Sequence, residues 1–167
     1  FINKYGMAKL EAETLLMSYG KNHGMTPTCL RFFNVYGPRQ DPTSPYSGVI
    51  SIFADLCASG RPVTVYGDGR QSRDFIYIKD ITRGIITSAT NTELPGGIYN
   101  LCTGQGKTLL ELLDALKGID PDVPEPIFEG EREGDIKHSL GNPSVARRIL
   151  GFEATTNFAE GIRELQN

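Results

Sequence analysis

Tyr5 and Lys9 stand four residues apart near the start of the sequence. On a helix that spacing puts both side chains on one face, one turn apart. An ammonium beside a phenol favours the ionised oxygen. A tyrosine tuned in that way is a general acid/base for a hydroxyl proton. The same pair also arises by chance on a solvated helix. Arg73 and Arg132 form a second candidate set. Arg73 lies in Gly67-Asp68-Gly69-Arg70-Gln71-Ser72-Arg73-Asp74-Phe75, and Arg132 lies in Glu131-Arg132-Glu133-Gly134-Asp135. Planar guanidinium groups on loops suit a bidentate grip on phosphate oxygens. Solvated surface loops have the same composition. Arg31 sits in an apolar strand pattern, where a buried arginine needs a partner, so a structural ion pair is expected. Asn34, at the end of that pattern, is placed where open α/β sheets bind ligands, beyond the carboxyl end of a strand. His23 reads as a solvated residue at a helix end, and His138 has no partner visible in the sequence. There is no metal-ligand spacing and no Gly-x-Ser-x-Gly elbow.

These residues need elements to position them. Residues 4–23 read as a helix, with Met7, Leu10, Leu15 and Tyr19 near helical spacing and Gly24 at its end. Residues 28–35 are rich in β-formers and read as one strand, stopped by Tyr36-Gly37-Pro38. Pro38, Pro42 and Pro45 make residues 37–47 a loop. A second helix spans 48–59, with Ile52, Phe53 and Leu56 on one side. Residues 63–66 read as a strand, Gly67-Asp68-Gly69 as a turn, and 74–78 as another strand. Asp80 is placed to cap a helix over 81–90. Residues 97–101 read as a strand. Thr108 caps a helix over 109–117 that Gly118 closes. Residues 119–135 are mostly loop, with one short strand near Ile127. Pro143 suits the first position of a helix running to Leu150, and 158–165 is a final helix. Strands alternating with helices argue an α/β protein.

Composition narrows the function classes. The 167 residues carry 17 basic and 20 acidic side chains, for a net charge of −3, which does not suggest a polyanion partner such as nucleic acid. No apolar run reaches the roughly 18 residues of a membrane span. Cys29, Cys57 and Cys102 are far apart and odd in number. They form neither a disulfide framework nor a zinc pattern, so a reducing cytoplasm is expected.

Four segments in register resemble the extended short-chain dehydrogenase/reductase family, and within it the NAD-dependent UDP-sugar 4-epimerases. Tyr5-Gly6-Met7-Ala8-Lys9 is similar to that family's Tyr-x-x-x-Lys. Leu30-Arg31-Phe32-Phe33-Asn34-Val35-Tyr36-Gly37-Pro38 resembles its strand-to-loop signature. Val65-Tyr66-Gly67-Asp68-Gly69 through Arg73-Asp74-Phe75 resembles its nucleotide-binding hairpin, and Arg132-Glu133-Gly134-Asp135 its diphosphate and ribose loop. The resemblance implies NAD as cofactor and a UDP-sugar as substrate, epimerised at carbon 4 through a transient 4-keto sugar. Tyr5 would be the acid/base, and Lys9 would bind the nicotinamide ribose and assist Tyr5. Phe33 would lie against the nicotinamide. Asn34, Arg73 and Arg132 would hold the diphosphate, Tyr66 would pack on uracil, Asp135 would take a ribose hydroxyl, and Val49 and Ile50 would wall the uracil pocket. A cytoplasmic homodimer, with the Tyr-Lys helix in its interface, is also implied.

The implied architecture is the end of a Rossmann-type parallel sheet interwoven with a smaller mixed α/β substrate domain. Residues 1–36 and about 74–101 would belong to the NAD-binding domain, and about 37–73 and 102–167 to the sugar-nucleotide domain. The family's glycine-rich phosphate turn, adenosine-binding acid and catalytic Ser or Thr lie upstream of its Tyr. The sequence is therefore expected to be the carboxyl-terminal part of a longer enzyme, and by itself poorly soluble and inactive. Two other readings stay open: a nucleotide-sugar dehydratase or decarboxylase on the same scaffold, and a non-catalytic sugar-nucleotide or redox-sensing module.

Overall fold

A computed structural model describes residues 4–44 and 47–166. Phe1 to Asn3 and Pro45 lie outside the described residues. The first helix, α1 (Lys4–His23), carries its apolar side chains to the surface. Met7, Leu15 and Tyr19 are all at least half exposed, and Gly20 alone is buried. Tyr19 stacks on His23 with ring centroids 3.9 Å apart.

The apolar run after α1 forms two strands, not one. β1 (Thr28–Phe32) pairs in parallel with β5 (Gly97–Leu101). β2 (Asn34–Tyr36) pairs in parallel with β4 (Ser72–Tyr77), in the register Asn34 with Phe75. Phe33 is the hinge where the chain leaves one partner for the other, and its N–H donates to Leu101 O at 3.3 Å. The first half of β4 is flanked by two short strands. β6 (Gly106–Thr108) lies antiparallel to it and β8 (His138–Ser139) parallel. β3 (Thr64–Tyr66) pairs in parallel with β7 (Ile127–Glu129).

Side chains alternate across β4, and the alternation divides the interior. Phe75 and Tyr77 enter a core shared with α2 (Val49–Ala58), α4 (Leu109–Lys117) and α6 (Phe158–Arg163). Ile76 enters a second core with Ile81 of α3 (Ile78–Thr90), Leu101 of β5 and Ala146 of α5 (Ser144–Leu150).

Three local expectations need correction. Asp80 does not cap α3, which begins two residues before it with no side-chain cap. Its carboxylate is buried instead, pairing with Arg83 and accepting N–H bonds from Thr155 at 3.1 Å and Thr156 at 3.3 Å. Pro143 is the cap residue of α5, not its first residue. β4 begins at Ser72, because β8 and β6 extend its pairing beyond the apolar run.

Thr108 does cap α4. Its hydroxyl accepts from Glu111 N at 3.1 Å while the Glu111 carboxylate accepts from Thr108 N at 2.9 Å, a reciprocal capping box. The Thr108 N–H bond, then the Lys107 ammonium, hold the Glu111 carboxyl below its ordinary value. A carboxyl lowered on folding adds stability above its unfolded value and loses it as pH falls through the folded one. Thr108→Ala removes the hydroxyl that accepts from Glu111 N and should cost about 1 kcal/mol at neutral pH. Glu111→Gln removes the charge that the Thr108 N–H and Lys107 stabilise, so its deficit in urea titrations should shrink as pH falls through the carboxylate range, and a pH-independent deficit would contradict the linkage.

Candidate functional site

The turn Gly67-Asp68-Gly69 closes the connection from β3 to β4. Gly67 and Gly69 adopt φ of 78° and 74°, a region that favours glycine. This turn sets the phase of β4, so that Gln71 and Arg73 face the same side as Phe75. There they meet the 131–135 loop. Tyr66, Arg73, Arg132, Asp135 and Val49 all line one cavity of about 570 Å³, floored by Phe53 and Leu109. Five of the residues singled out in the sequence thus converge, although Arg73 and Arg132 are 59 positions apart. A smaller cavity of about 290 Å³ adjoins it, sharing Tyr66, Gln71, Arg132 and Asp135.

Arg73 is held firmly. One guanidinium nitrogen, Nη1, donates to Ser72 O at 3.0 Å and to Ile136 O, and Nη2 pairs with Asp135 Oδ1 at 2.7 Å. Arg132 takes a different position. Its guanidinium lies 3.6 Å from the centroid of the Tyr66 ring, a cation–π stack. The cavity therefore presents two guanidinium groups, one anchored and one stacked, beside the carboxylates of Glu133 and Asp135 and above an apolar floor. That arrangement suits a ligand with a flat apolar part and a phosphate.

Ile50 does not line this cavity. It is 2% exposed and packs in the first core, since neighbouring positions on a helix point about 100° apart and only Val49 faces outward. Asn34 sits at the start of β2, and its side-chain amide donates to the backbone carbonyl of Asp74 at 3.2 Å. Phe33 lies beside it, close against Gly141, where an added Cβ would stand 2.8 Å from the ring.

Tyr5 and Lys9 line a separate cavity of about 660 Å³ with Phe32 and Leu30 of β1. Tyr5 is 67% exposed. The Lys9 ammonium lies 5.3 Å from the centroid of its ring, so the one-turn spacing brings the two groups together. Arg31 has the expected partner, a bidentate pair with Glu13 at 2.7 and 2.6 Å. The pair lies on the surface and not in the interior, with the Arg31 side chain 47% exposed. Bonding to Arg31 holds the Glu13 carboxyl below its ordinary value.

Two residues beside the cavities were not singled out in the sequence, although Asp74 lies within the hairpin segment quoted for Arg73. His138 meets Ser72, with Nδ1 2.9 Å from its hydroxyl oxygen. Asp74 is fully buried and accepts four bonds. Oδ1 receives Thr103 N at 2.9 Å and the Thr103 hydroxyl at 2.7 Å, and Oδ2 receives Gly104 N at 2.9 Å and Gly141 N at 3.2 Å. An acidic residue at the head of the otherwise apolar strand expected over 74–78 was the available signal. Among the described residues no helix is long and apolar enough to cross a membrane.

The fold and this site define a Rossmann-type α/β protein. The sequence model of the NAD dependent epimerase/dehydratase family matches residues 2–102, and the chain belongs to that family. It is 32% identical over 158 residues to the UDP-glucose 4-epimerase of Mycolicibacterium smegmatis, covering 95% of this chain and 50% of that protein. It is also 32% identical over 162 residues to a dTDP-glucose 4,6-dehydratase of an Actinoplanes strain, covering 96% and 49%. Among solved structures, the UDP-glucose 4-epimerase of Thermotoga maritima with UDP-glucose superposes with a TM-score of 0.89 at 34% identity, over 96% of this chain and 51% of that one. The chain spans about half the length of the curated relatives it matches.

Replacing Asp74 by Ala would leave three backbone N–H groups without their acceptor, each worth ~1–3 kcal/mol when buried. Asp74→Ala should therefore lose more than ~3 kcal/mol in equilibrium unfolding. A loss below about 1 kcal/mol would mean that water takes over these donors.

Proposed function

We propose that the protein works in NAD-dependent epimerisation at carbon 4 of a UDP-hexose. The observation that carries this reading is the convergence of Arg73, Arg132, Asp135, Tyr66 and Val49 on one cavity. Membership of the family and the likeness to 4-epimerases support it.

The residues present fit the nicotinamide end of NAD, since an exposed phenol and an ammonium share one side of α1. When bound, NAD would supply the reversible hydride acceptance that reaction at carbon 4 requires. Lys9 would hold its nicotinamide ribose by the ammonium donors, and Phe33 would pack against the nicotinamide. Tyr5 takes the proton of the sugar's 4-hydroxyl and later gives it back. Asn34, Arg73 and Arg132 hold the diphosphate, so UDP stays in place while the sugar turns. Asp135 accepts from a ribose hydroxyl, Tyr66 packs on the uracil, and Val49 walls its pocket. Ile50 supports that wall from below. The homodimer and the cytoplasmic setting that the family resemblance implies belong to the same proposal.

A dehydratase on the same scaffold is the second reading, favoured by the likeness to a dTDP-glucose 4,6-dehydratase. Product analysis on UDP-glucose separates the two, because epimerisation keeps the sugar's composition and dehydration removes water.

Two substitutions test the roles in the whole protein. Tyr5→Phe removes only the ionisable oxygen, so turnover should fall by ~10²-fold or more while UDP binding stays within about threefold. Turnover within a few-fold of wild type would remove Tyr5 from the mechanism. Arg73→Ala and Arg132→Ala should each weaken UDP by about 10- to 100-fold. Calorimetry showing unchanged affinity in both would overturn the diphosphate assignment.

A further inference from the structure

The least exposed stripe of α1 holds a charge. Gly6, Glu13, Met17 and Gly20 are the least exposed residues of the helix, and they recur at helical spacing on one side of it. Glu13 is the charged member, with its side chain only 15% exposed. It stands one turn beyond Lys9, as Lys9 stands one turn beyond Tyr5. All three line the same cavity.

That spacing gives the Lys9 ammonium two neighbours on its own helix. It lies 5.3 Å from the centroid of the Tyr5 ring. Residues four apart are also natural ion-pair partners, and a carboxylate attracts an ammonium more strongly than a neutral phenol does. A carboxylate as enclosed as that of Glu13 is costly without a cation beside it. Arg31, on β1, meets that need in full. Its Nε donates to Oε1 at 2.7 Å and its Nη2 to Oε2 at 2.6 Å, so one planar fork engages both oxygens. The Cys29 thiol nearby is no substitute, because burial, and then the Glu13 charge, push it up and leave it neutral.

We infer that Arg31 is a positioning residue for the proton-transfer pair: by engaging both oxygens of Glu13, it keeps that carboxylate from drawing Lys9 away from Tyr5. The inference rests on the proposed function, which gives Tyr5 and Lys9 their roles. Arg31 acts through Glu13, and a role of this kind differs from a mere tie between α1 and β1. If the pair were only a tie, removing both partners would harm the enzyme at least as much as removing one. If Arg31 holds Glu13 off Lys9, neutralising Glu13 repairs the loss of Arg31.

Two variants of the whole protein test it, Arg31→Met and the double variant Glu13→Gln/Arg31→Met. Methionine keeps an apolar stem in place of the arginine's. Arg31→Met should lose about 10-fold in turnover, the worth of one charge-assisted contact. Its crystal structure should show Lys9 Nζ within about 4 Å of the Glu13 carboxylate. The double variant should recover turnover to within about threefold of wild type. UDP affinity by calorimetry should stay within about threefold in both, since the pair lies outside the cavity of Arg73 and Arg132. Unchanged turnover in Arg31→Met, a double variant as impaired as the single one, or a Lys9 that stays over the Tyr5 ring in Arg31→Met overturns the inference. A parallel loss of UDP affinity marks a general disturbance and also overturns it. Should Arg31→Met fail to fold, Arg31→Lys decides. An ammonium grips one oxygen where the fork grips two, so turnover should fall at least about threefold, and unchanged turnover overturns the inference. All these outcomes leave the proposed function standing. Tyr5→Phe with turnover near wild type removes the proposed roles, and this inference with them.

Discussion

The candidate site depends on one buried carboxylate. Asp74 has no exposed surface, and an ion in such a place persists only when its oxygens are fully bonded. Its four donors come from two segments distant in sequence, Thr103-Gly104 and Gly141. Its own backbone carbonyl receives the amide of Asn34. The bonds therefore fix β4 to the start of β2 and to the segment that follows β8. Gly141 approaches so closely that an added Cβ would stand 2.5 Å from the Cys102 sulfur. Arg73 is the neighbouring residue on the strand, and its guanidinium is tied to Asp135 and Ile136 on the stretch leading to Gly141. Moving Asp74 would shift both ends of that stretch against each other.

The cavity follows from the same strand. Arg73, Phe75 and Tyr77 lie on one face of β4 by the two-residue period, and Gln71 stands just before the strand on the same cavity. Toward its carboxyl end that face is covered by α2, α4 and α6 and becomes the first core. Toward its amino end the cover stops, and the apolar side chains of Phe53 and Leu109 continue as the floor of an open cavity. The binding surface is the uncovered margin of a hydrophobic core, rimmed by the polar residues of two loops. This is why Tyr66 and Val49 sit beside charged groups without being charged themselves.

Much of this was legible from local pattern. The capping box at Thr108, the turn at Gly67-Asp68-Gly69 and the helical pair Tyr5 and Lys9 are short-range features, and their geometry follows from spacing. What stayed hidden is set by partners far away. Residues 28–35 have β-formers throughout, and nothing local marks Phe33 as the point where pairing changes from β5 to β4. β6 and β8 are short and polar, so they have no apolar period to show, and they exist as strands because β4 lies between them. Asp80 has the position of a cap, yet Thr155 and Thr156, some 75 residues away, take its oxygens.

The two arginines of the cavity differ in the work their surroundings have already done. Arg73 is bonded to two backbone carbonyls and a carboxylate, so its orientation is set and little side-chain entropy remains to be lost on binding. Its charge is shared with Asp135, which limits the attraction it offers to an anion. Arg132 has the opposite character. Its ion-pairing capacity is uncommitted, since the Tyr66 ring and not a carboxylate faces its guanidinium. A stack of this kind at a partly open site is worth only ~0.5–1 kcal/mol, less than a charge-assisted bond to phosphate at ~1.5–3 kcal/mol. For the nucleoside diphosphate of the proposed function, Arg73 would then set where the phosphates lie, and Arg132, whose guanidinium faces a ring rather than a carboxylate, would supply the larger share of the attraction.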